Sequence, residues 1–497
     1  MSGAARELVE AAFAYEIATA EVLHDGLNVA DMAHVVQQLD EGIIPRPEAA
    51  RLATVLLAAD AVPAAEFGYD AALGEPYNSR ERVFTDAIGD AAGWLHVGRP
   101  RREATRVAFR LRLRRDVCHL ILATSRLACT LADRARQHRS TLFADHTYLQ
   151  HAQPSTVGHY LTSFAYPLLR DAERLFDVVD WLNGSPGGAG CVNGSRLATN
   201  RTDIAAALGF SHVITNTRDA MWQVDGLVQL ASAAASMACT QTSLAEDLEI
   251  WASSEFDYVD LASGYTRASV LMPQKRNPYA LSMVRGMAGW LIGHLTGLLA
   301  VQKSPSARSD ALIFAYGEVP ALIGQARGMT ELMAGVVETL TINEARLRDV
   351  LDGGFSQATD VAEALMVTCG LDYRRAYHVA GRAIRALADD GQSARQLTSA
   401  RVDTAAIEVL GHPLSIGDDA LAAVLDPGSI VATRVATGGA APAAVDAMVD
   451  EIERRVDDLV GMAQIRLERF ATAEARVRAR ARQLADVSDR ARADDCP

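Results

Sequence analysis

The chain has 497 residues, more than one compact core usually holds, so two or three folding units are expected. Hydrophobic residues make up 49% and the formal charge is −14, which supplies a large interior and argues against the basic face that nucleic acid or an anionic membrane would need. The opening segment is acidic and amphipathic, not a basic stretch before an apolar run. No stretch apolar and long enough to span a bilayer is expected, which suggests a cytoplasmic protein.

Ala, Leu, Glu, Arg and Val recur at three- and four-residue spacing, which predicts an all-α protein. Residues 5–25, 28–40 and 46–61 read as short helices separated by Gly26, Gly42 and Pro45/Pro47. The run 68–78 is rich in Gly, Pro, Tyr and Asn and reads as a loop before a helix at 79–94. A longer helix spans 102–138, and another follows Pro154. Over 216–253, Val224, Leu227, Val228, Ala231, Ala234, Ala235, Ala238, Thr242, Ala245 and Leu248 follow the 3.6 period. Most are small, so this helix should lie deep in a bundle, where axes approach closely. So long an Ala-rich face is hard to cover within one subunit, which points to an oligomer.

Segments 277–302 and 316–340 read as its partners. After Gly353-Gly354 the helices shorten, with breaks at Gly370, Asp372, Gly391 and Gly411 and a Gly-Gly-Ala-Ala-Pro turn at 438–442. Three units follow: an N-terminal helical domain over 1–103, a central helical-bundle domain over 104–353 and a C-terminal helical domain over 354–497. The cysteines, Cys118, Cys129, Cys191, Cys239, Cys369 and Cys496, show no paired spacing and suit reduced thiols better than disulfides or zinc.

The chemistry concentrates in Thr266-Arg-Ala-Ser-Val-Leu-Met-Pro-Gln-Lys-Arg-Asn-Pro278. This Pro-punctuated loop carries a hydroxyl at Ser269, a cation at Lys275 and an amide at Asn277. Pulling a proton from carbon beside a carboxylate needs such a set, because the carbanion adds charge to an existing anion and must be met by cations and donors. The loop resembles the signature of the aspartase/fumarase superfamily, argininosuccinate lyase branch. Further matching tracts are Leu95-His-Val-Gly-Arg-Pro-Arg-Arg-Glu103, Thr147-Tyr-Leu-Gln-His-Ala-Gln-Pro154, Pro186-Gly-Gly-Ala-Gly190, Asn216-Thr-Arg-Asp-Ala220, Ala245-Glu-Asp-Leu-Glu-Ile-Trp251, Gly354-Phe-Ser-Gln-Ala-Thr-Asp360 and Thr437-Gly-Gly-Ala-Ala-Pro442. They run in family order over nearly the whole chain.

The resemblance implies a three-domain α protein whose central bundle forms a homotetramer, with each active site shared among three subunits. It implies no cofactor, a small anionic dicarboxylate substrate, and anti elimination that releases fumarate from a nitrogen-bonded succinyl group. By the same match Ser269 is the general base, with Lys275 and Asn277 stabilising the charge that develops. Each unit by which the hydroxyl's pKa is lowered is worth about 1.4 kcal/mol. Thr147 matches a threonine that contacts the substrate carboxylate in relatives, and Gln150 and Gln153, retained beside it, are expected to bind substrate too, with helix capping before Pro154 as the structural alternative.

Departures from the family bear on the substrate. The family histidine after the threonine is Tyr148 here, and the glutamate that orients it is Ser282; His151 is offset from that position. A phenol with a reference pKa near 10 is a weaker acid than imidazolium, so either Tyr148 protonates the leaving group or departure needs little acid, as for nitrite. The family Ser-Arg-Asn clamp becomes Pro100-Arg101-Arg102, which suits a more anionic or differently placed group. Pro305-Ser-Ala-Arg308-Ser-Asp310 lacks the Tyr-Asn pair near the arginine moiety, so the expected substrate is an N-substituted aspartate other than argininosuccinate, in contact with Arg308. His96 keeps its family place. Two rivals are a cyclised Ala262-Ser263-Gly264 electrophile and a non-catalytic structural homologue; the retained Ser269, Lys275 and Asn277 argue against the latter.

Overall fold

The fold is known from a computed structural model that describes residues 4–197 and 200–494. Cys496 lies outside them, and the five other cysteines are free. The architecture is all-α, as expected, with a few two-stranded ribbons.

The helix Arg101–Gln137 is the central strut. It packs against Val157–Leu182, Asp310–Thr339, Ala20–Asp40 and the C-terminal helix Pro442–Asp494. Asp225–Trp251 lies against Tyr279–Gln302 and Val157–Leu182, burying Leu227, Ala231, Ala234, Ala235, Ala238, Ala245 and Leu248. Val228 and Thr242 lie at the edge of that face, only half-buried. Small side chains let these axes draw together, and the apolar area removed from water drives the packing.

Three sequence expectations change. Ala20–Asp40 is one helix that runs through Gly26, because that glycine serves a crossing. A Cβ there would lie 2.6 Å from the Ala108 carbonyl oxygen, so glycine is what lets the two helices meet. The helix expected over 216–253 is two, Thr217–Trp222 and Asp225–Trp251, parted where Gln223 turns extended. And Tyr279–Gln302 has the length and hydropathy, 1.3, of a membrane span, contrary to the expectation of none. Only 22% of its most apolar window is buried within the chain; Trp290, Ile292 and Leu299 face outward.

Two cores separate along the sequence. Val361, Leu365, Val379, Leu387, Val402 and Leu421 form a small cluster of their own. The sequence groups 354–497 together, yet Val445, Val449, Ile452, Phe470 and Val477 of the C-terminal helix lie in the large core with the bundle.

Candidate active site

The signature loop is a closed hairpin. Arg267–Ala268 pairs antiparallel with Arg276–Asn277, in the register Arg267 to Asn277 and Ala268 to Arg276. The Asn277 amide nitrogen donates to the Arg267 carbonyl at 2.8 Å, so this side chain ties the neck of the loop. Arg276 pins the neck from outside, donating to Asp260 at 2.9 Å and to the Leu261 carbonyl at 2.7 Å. Within the loop the Met272 N–H donates to Ser269 Oγ at 3.0 Å. A donor aimed at that oxygen favours negative charge on it, the direction a base requires. Lys275 is exposed, and among the described residues its ammonium has no hydrogen-bond or ion-pair partner. Val270, at the tip, is 107% exposed.

The Thr147 tract is a hairpin, not a helix cap. Leu142–Thr147 pairs with Gln150–Thr156, with His146 opposite His151 and Thr147 opposite Gln150. Tyr148 and Leu149 form the two-residue turn with φ of 55° and 59°. That is the geometry of a turn normally made by Asn-Gly, and large side chains adopt it at a cost. Tyr148 is 99% exposed, while Thr147, Gln150 and Gln153 line the exposed arm.

The third group opens the strut. Arg101 Nη1 lies 3.5 Å from Glu75 and 3.9 Å from Glu81, and Glu81 is also bound by His96. That bond from His96 is the main reason the Glu81 carboxyl is held below its usual range. Arg102 is half-buried beside it. Glu103 is buried and accepts from the Gly188 and Gly190 amides, each at 2.7 Å, which fixes the 186–190 tract to the strut. Burial pushes its carboxyl up to about 7, against the pull of Arg99 and the two amides. Arg308 is exposed on the segment before the helix Asp310–Thr339, next to an Ala307 at φ 59°. Among the described residues, no hydrogen bond or ion pair joins the signature loop, the Thr147 hairpin and the strut start to one another within one chain. Nor do three His, Cys, Asp or Glu side chains gather there as metal ligands would.

Comparisons with known proteins fit this arrangement. A family profile described as lyase matches residues 67–293, and one described as argininosuccinate lyase C-terminal matches 355–432. The argininosuccinate lyase of Natronomonas pharaonis is 35% identical over 448 residues, 90% of this chain and 88% of that one. The chain belongs to the aspartase/fumarase superfamily, in its argininosuccinate lyase-like branch. It is a carbon–nitrogen lyase of the fumarate-releasing kind. The argininosuccinate lyase of Chelativorans sp. is 32% identical over 436 residues, 86% of this chain and 89% of that one. Among solved structures, an EDDS lyase in complex with formate superposes with a TM-score of 0.88 at 25% identity, covering 98% of this chain and 97% of that one.

Sequence reasoning passed over one carboxylate in the lyase. Ser282, in the first turn of Tyr279–Gln302, donates to Glu249 at 3.0 Å, and Arg285 donates to the other oxygen of the same group at 2.7 Å. A carboxylate therefore stands at Ser282 after all, delivered from the neighbouring helix. No local signal marked it, since Glu249 is one of three acidic residues in the matched tract 245–251. A cleft of about 800 Å³ between the helices Ala20–Asp40 and Pro442–Asp494 contains none of the candidate residues.

Proposed function

We propose that this lyase releases fumarate by anti β-elimination from an N-substituted aspartate other than argininosuccinate, in the cytoplasm, as a homotetramer whose sites draw on three subunits. The observation that carries the reading is Ser269 Oγ, held by the Met272 amide on an exposed loop that also bears Lys275, which has no partner among the described residues.

In this reading Ser269, as base, takes the proton from the carbon next to a carboxylate. Lys275 and Asn277 offset the charge that grows on that carboxylate, which is the largest barrier in the reaction. The carbon–nitrogen bond then breaks, the electron pair leaves with nitrogen, and Tyr148 returns a proton to the departing amine. Arg101, Arg102, Thr147, Gln150, Gln153 and Arg308 hold the substrate's anionic and polar groups, the arginines by charge-assisted hydrogen bonds. Separation of these groups within one chain supports sites completed by neighbouring copies, and so does the apolar face of Tyr279–Gln302 left open to water. The altered clamp Pro100-Arg101-Arg102 and the 305–310 segment argue against argininosuccinate itself.

The test is fumarate appearance from a panel of N-substituted aspartates, with argininosuccinate and nitrosuccinate included. Ser269→Ala should lower kcat on the best substrate by at least about 10³-fold, since it removes the base. A variant that turns over at the wild-type rate would sink the assignment, and release from nitrosuccinate alone would replace the amine with nitrite as leaving group.

A further inference from the structure

The cleft of about 800 Å³ between the helices Ala20–Asp40 and Pro442–Asp494 is lined by none of the residues assigned to the reaction. Its size falls within the roughly 300–1,000 Å³ of small-molecule sites. Two helix faces build it. Ala33, Val36 and Asp40 recur at three- and four-residue spacing on one helix, and Arg469, Ala473, Arg476 and Arg480 do so on the other, so each set shares a face. Gly209 closes the floor. A Cβ there would lie 2.7 Å from the Ala473 Cβ, so glycine lets the chain after the helix Arg201–Ala207 come down on the C-terminal helix.

The walls carry opposite charge. The lining cations, Arg469, Arg476 and Arg480, all come from the C-terminal helix, while the acids Asp40, Glu41 and Asp203 stand on the elements facing it. Arg480 donates to Asp40 at 3.1 Å, and among the described residues this is the one ion pair across the cleft. Arg469 has a 3.5 Å contact with the Phe210 carbonyl, and exposed Arg476 has no partner among the described residues.

The acidic wall is fixed in place before any ligand arrives. Glu41 Oε1 accepts from the Gln37 amide at 2.6 Å and from the Asn200 N–H at 2.7 Å, and the Asn200 amide donates to Asp203 at 2.8 Å. Glu41 Oε2 is shut off from water and has no partner among the described residues. A carboxylate oxygen left so is costly, and an ammonium N–H would relieve it. Glu41 also stands at the C-cap of the helix Ala20–Asp40, where the helix dipole favours a cation.

We propose that this cleft is a second ligand site, which takes a free α-amino acid with an aliphatic side chain. The carboxylate is held by Arg469 and Arg476 through charge-assisted hydrogen bonds, the ammonium by Glu41 and Asp203, and the side chain covers Ala33, Val36 and Ala473. A ligand with a single charge leaves one wall unanswered, and a dicarboxylate sets an anion against Glu41, so the cleft discriminates against the acids that the reaction site takes.

Isothermal titration of the full-length assembled protein with L-alanine, L-valine, L-leucine, L-isoleucine and L-methionine tests the assignment. At least one should bind, and its deamino acid and its decarboxylated amine, each lacking one charge, should bind at least about tenfold more weakly. Arg476→Ala should weaken the amino acid at least about tenfold while fumarate release and the unfolding midpoint stay unchanged, and Glu41→Gln should weaken it as much from the other wall. Ser269→Ala, at the reaction site, should bind the amino acid as wild type does. The proposal is overturned if none of the five binds, if either single-charge analogue binds as tightly as its parent, if Arg476→Ala or Glu41→Gln binds like wild type, or if Ser269→Ala abolishes binding.

Discussion

The N-terminal unit and the signature loop use the same kinds of groups in opposite ways. Beneath the N-terminal helices Asp31 accepts from Arg80 at 2.9 Å, from Arg99 at 2.6 Å and from Tyr77 at 3.0 Å, and Arg80 also donates to Asn28 at 2.7 Å. All five residues are buried. Burial, far more than the neighbouring charges, pushes the Tyr77 phenol up, so it stays a neutral donor. On the loop, among the described residues, exposed Lys275 has no partner and Ser269 has only the Met272 amide. A charge that holds the fold has its partners supplied by the protein, and a charge that works on a substrate keeps a coordination place open.

Breaking one member of each set should separate the two uses. Asp31→Ala leaves two buried guanidinium groups without a counter-charge and should cost about 3–5 kcal/mol in urea unfolding, while kcat per folded molecule is unchanged. Lys275→Met should do the reverse. Its expected cost is about 10²–10³-fold in kcat/KM for fumarate release, the scale of a lost electrostatic stabiliser, with the unfolding midpoint unmoved. If Lys275→Met instead lowered the midpoint, the contrast would fail.

Glu103 sits between the two sets, and pH sharpens the comparison. Its carboxyl is raised from 4.5 to about 7 in the folded chain, chiefly by burial. The folded state therefore keeps a proton that the unfolded chain gives up. This contribution to stability is full below about pH 4.5 and is lost as pH rises toward about 7, to a total of about 3 kcal/mol. Glu103→Gln should flatten that slope in denaturation curves taken at about pH 5 and about pH 7.5. The smallest effect is expected at the hairpin tip. Tyr148→Phe should lower kcat by about 10²-fold on amine-releasing substrates, the low end of the range for a lost proton donor, and leave stability alone. An unchanged rate would mean that the leaving group departs unassisted.

Much of this was legible in the residues because regular periodicity reports packing directly. The strut expected at 102–138 is Arg101–Gln137, and the loop with Ser269, Lys275 and Asn277 is one hairpin. What escaped lacked a local signal. Thr147-Tyr-Leu-Gln150 carries none of the residues that announce a tight turn, so the hairpin was hidden. Gly26 looked like a break because its partner, Ala108, is distant in sequence. Glu249 carries no mark of its own in the sequence, since only tertiary structure shows that it meets Ser282.

The helix Tyr279–Gln302 sets a condition on the life of a newly made chain. A lone copy shows water a long apolar strip, with Trp290, Ile292 and Leu299 exposed on it. Such a strip attracts any other apolar surface, so a dilute or slowly emerging chain runs a race between meeting its own kind and clumping. Heat inactivation of this enzyme should then depend on protein concentration as much as on temperature.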